Sequence, residues 1–289
     1  MNHRRVAQIG ATTTEQEAAL YEAVVVPRYS ALFARMLLRE VPKGLRATVL
    51  DVGSETGYLA FDIVKRLHES GRVVAVDRDP AMVELGRRRA LELDGKRIFF
   101  KVEGPDRLSF GDQVFDVVVG NLVLSRVEDP ARAVGEMKRV LVPGGKLLLT
   151  RALADTFVEV LDMFREIALR WNLPEIGKRV DAVVARYPEP GAWAGAVRAI
   201  GLEDVTVREE TFRLPFSNAR RMFADPLIRF IGLPEWRWIG GLDSRGAEAL
   251  EEAERSLDVY FASRPLSLTV RAGLVVARAP GTREHAPTS

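Results

Sequence analysis

The sequence predicts a doubly wound α/β fold: a mostly parallel seven-stranded sheet with helices on both faces, an N-terminal helix ahead of it and a helical cap inserted before the last strand. Three observations predict it. Short Val/Leu-rich runs alternate with helix-patterned stretches of roughly 10–15 residues, which is how a parallel sheet covered on both faces reads. The segment VLDVGSETGYLA, Val49 to Ala60, passes from an apolar run through an acid and two glycines into a helix, the form of a strand feeding a ligand-binding turn. With 289 residues and 47% apolar content, the chain can bury a large core.

Taken in order, Thr14 followed by Glu17 is a capping-box pattern that opens a helix over residues 15–40, carrying Tyr21 and Tyr29. ATVLDV is then a buried strand, YLAFDIVKRLHES a helix, RVVAVD a second strand, PAMVELGRRRALEL a helix and RIFFKVE a third strand. FDVVVGNLVL is the fourth strand, DPARAVGEMKRVL the next helix and GKLLLTRA the fifth strand. Past residue 150 the order loosens. A helix from Asp155 to Trp171 leads to the Pro-rich YPEPGAW, the helix AWAGAVRAIG precedes the strand EDVTVREETF, and LSLTVRAGLVVARA closes the sheet. Residues 15–280 thus read as one domain with a core at 46–150 and an insertion at 208–265, while 1–14 and 281–289 read as a flexible arm and tail. No internal repeat or low-complexity block interrupts it.

Composition narrows the function classes. The pI is about 9.0, yet the net charge is only +2, because without Cys and with few Tyr or His little titrates between neutral pH and the pI. That gives no general nucleic-acid signal. No run approaches the ~18 consecutive apolar residues that span a bilayer, and the N-terminus lacks the apolar stretch of a signal peptide. The absence of Cys excludes disulfides, thiolate metal sites and cysteine nucleophiles, and points to a cytoplasmic protein.

In doubly wound sheets ligands bind beyond the carboxyl ends of the strands, where the strand order switches. Four features belong at that edge: the turn from Asp51 to Gly57, the strand end at Asp77, the loop EGPDRLSF, and Asn121 after the fourth strand. Asp77 ends a strand one βαβ step after the turn, the place from which a carboxylate accepts hydrogen bonds from a ribose diol. Any one of these residues alone reads as a solvated loop residue. Together, in this order, they favour a nucleoside-bearing cofactor.

From about residue 46 to 150 the chain resembles a class I S-adenosylmethionine-dependent methyltransferase of the UbiE-like, small-molecule type. The resemblance rests on LDVGSETGYLA, VVAVDRDPAMVELGRRRA and, most specifically, FDVVVGNLVLSRVEDPARAVGEMKRVLVPGGKLLL. AWAGAVRAIGLEDVTV and LTVRAGLVVARA resemble that family's late helix, sixth strand and antiparallel seventh strand, so only 208–265 is strongly individual. The resemblance implies a Rossmann-like methyltransferase fold, S-adenosylmethionine as cofactor, and cofactor contacts from Asp51, Gly53, Ser54, Glu55, Gly57, Asp77, Arg78, Gly104, Pro105 and Asn121. Three departures stand at those positions. Glu55 replaces the usual glycine, Gly104 and Pro105 stand where Asp-Ala usually holds adenine, with Asp106 displaced, and Ser125 and Arg126 replace a His or aromatic pair.

Methyl transfer from a sulfonium is an in-line displacement, so proximity and orientation supply most of the effect. A base is needed only where the nucleophile holds its proton. Of the three histidines, His3 and His285 lie in the tails and His68 past the helix that follows the turn, and no His/Asp/Glu cluster has metal-ligand spacing. No catalytic residue is therefore named. A small, largely apolar molecule with an acidic or already nucleophilic atom is the substrate class that remains, and Tyr21, Tyr29, Ser125, Arg126 and Trp236 are its candidate contacts. The run RRMFADPLIRFIGLPEWRWIGG reads either as a hydrophobic lid or as the cap's own core. The alternative function, favoured by the three departures, is a degenerate methyltransferase fold that binds a nucleoside or a partner without catalysis. Cofactor binding discriminates the two.

Overall fold

The computed structural model describes residues 13–92, 97–241, 244–263 and 265–281. The predicted arm and tail lie, except for Thr13, Thr14 and Gly281, outside them. The described residues fall into two compact units, one within Ile9–Arg151, Pro190–Glu209 and Gly273–Ser289, the other within Ala152–Glu189 and Glu210–Ala272.

The first unit opens with α1 (Glu15–Leu20), capped as its sequence requires. Thr14 Oγ1 accepts the Glu17 amide and the Glu17 carboxylate accepts the Thr14 amide, each at 3.1 Å. The predicted α-helix to residue 40 is helical through α2 (Ala31–Leu38), but its middle ten residues, Tyr21–Ser30, are π-wound. The cause is local. Pro27 lies inside this stretch and has no N–H to donate, and the Ala31 amide reaches back to Val26, one residue further than α-geometry allows.

Five strands alternate with helices as expected: β1 (Thr48–Val52), α3 (Tyr58–Arg66), β2 (Arg72–Asp77), α4 (Pro80–Glu92), β3 (Ile98–Val102), β4 (Phe115–Asn121), α5 (Pro130–Val140) and β5 (Leu141–Ala152). β1 to β5 pair in parallel. With α8 (Pro190–Ala199), β6 (Glu203–Phe216) and β7 (Leu266–Arg278), the order is β3-β2-β1-β4-β5-β7-β6. Gly144 pairs with Ala279 and Leu153 with Arg271, so β7 runs against β5. The order switches beside β1, whose carboxyl end is therefore the ligand edge. Two strand limits differ from the sequence reading. β4 stops at Asn121 rather than Leu124, because Leu122 turns left-handed (φ 59°) into a short 3-10 turn, Val123–Arg126. β5 begins at Leu141, four residues before the predicted Gly145, with a register shift opposite Phe115 and Val117.

The second unit holds α6 (Val158–Arg170), α7 (Pro174–Val184), α9 (Ala219–Ala224), α10 (Pro226–Ile231), α11 (Leu233–Gly240) and α12 (Ser244–Tyr260), with the outer parts of β6 and β7. α6 starts at Val158 and not Asp155, because Asp155 and Phe157 take left-handed φ of 65° and 60°. α7 is a helix the sequence reading did not assign, although Pro174 stands at its first turn, a recognised start signal. Asn218 and Asp225 cap α9 and α10. No helix among the described residues is long and apolar enough to cross a membrane.

Candidate functional site

The turn after β1 is shaped by its two glycines. Gly53 (φ 71°) and Gly57 (φ 79°) are left-handed, and a Cβ on them would lie 2.6 Å from Val123 and 2.5 Å from Phe100. The space they leave is filled by the protein itself, so both are needed for the path of the turn and for its packing. The amides of Gly53 and Ser54 donate to Val76 O at 2.8 and 2.9 Å, tying the turn to β2. At the end of β2, Asp77 accepts the amides of Glu55 and Asp79, each at 2.9 Å.

Glu55 takes φ 53° and is buried. Its Oε1 accepts the Tyr21 hydroxyl at 2.5 Å and pairs with the Arg126 guanidinium at 3.1 Å, and Arg126 also donates to Tyr21 Oη at 3.0 Å. The guanidinium carbon lies 5.3 Å from the Tyr21 ring centroid. Three elements far apart in sequence therefore meet on one carboxylate. The Arg126 side chain is 52% exposed against 5% for Glu55, so the pair has one wet end and one dry end.

The π winding makes this possible. Tyr21 and Ser30, nine residues apart, bring their hydroxyls to 3.1 Å. At about 3.6 residues per turn an α-helix would put them on opposite faces, whereas the wider π winding, about four and a half residues per turn, returns them to one face. Ser30 is pinned in turn, since its carbonyl accepts Asn121 Nδ2 at 3.1 Å. Asn121 also contacts the Tyr58 hydroxyl and accepts Thr150 Oγ1 at 2.6 Å. A polar chain thus joins the π segment to the carboxyl ends of β4 and β5. Beside it, Glu22 pairs with Arg89 at 2.5 Å and accepts the Thr56 hydroxyl.

Burial dominates the electrostatics. It pushes the Glu55 carboxyl up to about 7, with Arg126 and the Tyr21 hydrogen bond opposing and Asp77 and Glu22 adding to the rise. Asp51 is raised well above the ordinary carboxylate range by complete burial and then by Glu55 and Asp77, with the Ala60 amide only partly offsetting. Asp77 moves the same way through burial, opposed by its two amides. Among the described residues, Oε2 of Glu55 and Oγ of Ser54 have no hydrogen-bond partner, and the two oxygens of Asp51 have none beyond the partial support of the Ala60 amide. Buried polar atoms are nearly always paired, so this turn concentrates unused bonding capacity.

The loop after β3 flanks this turn. Pro105 is buried, and Asp106 turns back so that its Oδ1 would lie 2.9 Å from a Cβ on Gly104 while pairing with Arg78 at 3.5 Å. The loop is held from α5. Arg139 donates to Leu108 O at 2.9 Å and to Phe110 O and Asp112 at 2.8 Å, and grips Glu136 with two bonds of 2.8 Å. Arg132 donates to Asp106 O at 3.0 Å.

Among the expected residues, Tyr21, Asp51, Ser54, Glu55, Asp77 and Arg126 come together, with Asn121 joined through Ser30. Tyr29 instead packs on Phe33 at 5.1 Å, and Ser125 donates to Leu122 O at 2.6 Å within its own turn. Trp236 is fully buried in the helical unit. Tyr58, Ser30, Thr150, Glu22 and Arg89 escaped the sequence reading. Tyr58 directly follows Gly57 and could have been flagged by position; the others carry no local signal. His68 contacts Ser70 beyond the far end of α3. No group of His, Cys, Asp and Glu among the described residues could hold a metal ion.

Comparison with known proteins bears on this arrangement. A family model described as a methyltransferase domain matches residues 45–183. The chain is similar to the ubiquinone/menaquinone biosynthesis C-methyltransferase UbiE of Bordetella avium, 34% identical over 169 residues, covering 54% of this chain and 64% of the relative, which is less than two thirds of its length. It is likewise similar to UbiE of Methylobacterium nodulans, 30% identical over 172 residues, covering 55% and 67%. Among solved structures, the YcgJ protein of Bacillus subtilis shares the fold at a TM-score of 0.57 and 19% identity, covering 87% of this chain and 100% of the other.

Proposed function

This chain belongs to the class I S-adenosylmethionine-dependent methyltransferases of UbiE-like type, and from that premise we propose that it methylates a small, largely apolar organic molecule. The observation that carries the reading is Asp51. A carboxylate wholly buried at the carboxyl end of β1, with only the Ala60 amide to offset its burial and no side-chain partner among the described residues, fits a cationic ligand, and this cofactor carries an ammonium and a sulfonium. Glu55 Oε2 and Ser54 Oγ offer further polar atoms from the same turn. Asp77 keeps lone pairs beyond its two amide bonds for a ribose diol. Arg78, Gly104, Pro105 and Asn121 complete the set of residues we assign to the cofactor.

When bound, the cofactor supplies a methyl group activated by a positive sulfur and leaves as a neutral thioether. The chain's own part is to position and to exclude water. Buried Asp51, Glu55 and Asp77 fix the charge of the site, while Tyr21, through Glu55 and Ser30, holds the π segment against the turn. His68 lies beyond one end of α3 and the turn at the other, so the acceptor atom brings its own nucleophilicity. The relatives' name as C-methyltransferases favours an activated carbon as that atom. Tyr21, Ser125 and Arg126 remain our candidates for substrate contact, whereas Tyr29 and Trp236 are taken up by packing, and a cytoplasmic location fits the Cys-free chain.

Calorimetry with S-adenosylhomocysteine, followed by transfer of labelled methyl from S-adenosylmethionine to a panel of small enolic and phenolic acceptors, tests the reading. Micromolar binding and label transfer are expected. No binding at millimolar ligand would sink it in favour of a non-catalytic fold.

A further inference from the structure

We infer that Glu55 is a specificity-determining residue that makes the site prefer the sulfonium cofactor over its thioether product, with Tyr21 and Arg126 as positioning residues that aim its carboxylate. The inference rests on the cofactor reading above and goes beyond it, since the glutamate departs from the glycine that usually stands at this place in the turn.

Three features carry it. First, Glu55 holds a left-handed backbone (φ 53°), which side chains disfavour, and it buries its carboxylate where a glycine would meet neither difficulty. Second, its two oxygens are treated unequally. Oε1 takes both donors, the Tyr21 hydroxyl at 2.5 Å and Arg126 at 3.1 Å, while the buried Oε2 has no partner. A carboxylate clamped through one oxygen presents the other in a set direction. Third, the residue bridges the ligand edge. Its amide bonds Asp77 at the end of β2 and its side chain ends on Arg126 after β4. On the cofactor reading above, the acid at the end of β2 takes the ribose and the turn after β4, with Ser125 and Arg126, faces the acceptor. Glu55 links the two, through its amide to Asp77 and its side chain to Arg126, and on that reading the reacting sulfur falls beside it.

The charge logic then isolates one atom. Cofactor and product share the ammonium, the carboxylate, the ribose and the base, and they differ in a positive sulfur against a neutral one. A buried carboxylate facing that sulfur favours the first by Coulomb attraction at low effective dielectric. A carboxylate facing the ammonium would favour both equally.

The test is calorimetry on the full chain with S-adenosylmethionine and S-adenosylhomocysteine, comparing wild type with Glu55→Gln and Tyr21→Phe, and melting curves to confirm folding. Wild type should bind the sulfonium form at least about tenfold tighter, a difference of about 1.4 kcal/mol. Glu55→Gln should abolish that preference by weakening the sulfonium form while the thioether affinity moves less than about threefold. Tyr21→Phe should reduce the preference part-way, which a merely structural hydroxyl would not do. If Glu55→Gln fails to fold, Glu55→Gly, the residue this φ suits, should show the same collapse. An unchanged ratio overturns the inference, whether both affinities fall together or both rise. If wild type binds neither ligand, the cofactor reading itself fails and takes the inference with it.

Discussion

The turn after β1 and the core of the helical unit bury their side chains equally well and to opposite effect. In the helical unit Trp236 is fully buried, with its ring edge-on to Phe157 at 5.8 Å and to Phe223 at 5.5 Å. Its charged neighbour Glu235 is answered by Tyr187 at 2.9 Å and Arg186 at 2.6 Å. In the turn, Asp51 is just as buried, and the Ala60 amide only partly offsets its burial. One region finishes its bonding within the chain, and the other keeps unused polar capacity, which the proposed function assigns to the cofactor. Buried apolar rings make a protein stable. Buried unpaired carboxylates make it less stable and able to bind.

The comparison breaks first at Trp236. Trp236→Ala should destabilise the protein by about 3–5 kcal/mol, the range for truncating a large core aromatic, read from urea unfolding. A loss under about 1 kcal/mol would show that the ring is not core and return it to the role of a pocket wall.

The second test is pH. An acid whose folded pKa is raised holds its proton in the folded chain after the unfolded chain has released it, so stability falls as pH rises. For Glu55 the window runs from the ordinary 4.5 to about 7, and the loss is at most about 3 kcal/mol. Asp51 and Asp77 push in the same direction. Melting temperature without cofactor should therefore drop between pH 5 and pH 8, and Glu55→Gln should flatten the profile. A rise across that interval would mean that the turn is not strained by its charges.

Asp77→Ala sharpens the contrast further. It should weaken S-adenosylhomocysteine binding by about 1–3 kcal/mol with the fold intact, and unchanged affinity would remove Asp77 from the site. The smallest effect is expected at Thr14→Ala, which breaks the capping box ahead of the π segment and should lower stability by about 1 kcal/mol. Loss of cofactor affinity beyond that amount would show that α1 belongs to the binding machinery and not only to its support.

Much of the fold was legible because it rests on local pattern. β1, β2, β3 and the helices between them follow from alternating apolar runs, and the capping box at Thr14 and Glu17 appears as written. What escaped depends on distant partners or on left-handed turns that sequence tolerates without announcing. Leu122 ends β4 early, Phe157 delays α6, and Pro27 changes the winding of its helix without ending it. The site was legible as a set of residues but not as an arrangement. Glu55 was expected among the cofactor contacts and Tyr21 and Arg126 among the substrate contacts, yet no spacing rule joins positions so far apart into one hydrogen-bonded group.

The grip of Arg139 on the loop after β3 separates shape from identity. The path of that loop is set through main-chain oxygens of Leu108 and Phe110 and through Asp112 and Glu136. Gly104, Pro105 and Asp106 add the bond from Arg132 to the Asp106 carbonyl and the Asp106–Arg78 ion pair, neither of which runs through Arg139. Positions 104–106 therefore sit on a mount fixed by other residues, and on the proposed function substitutions there would retune recognition of a base without rebuilding the scaffold beneath.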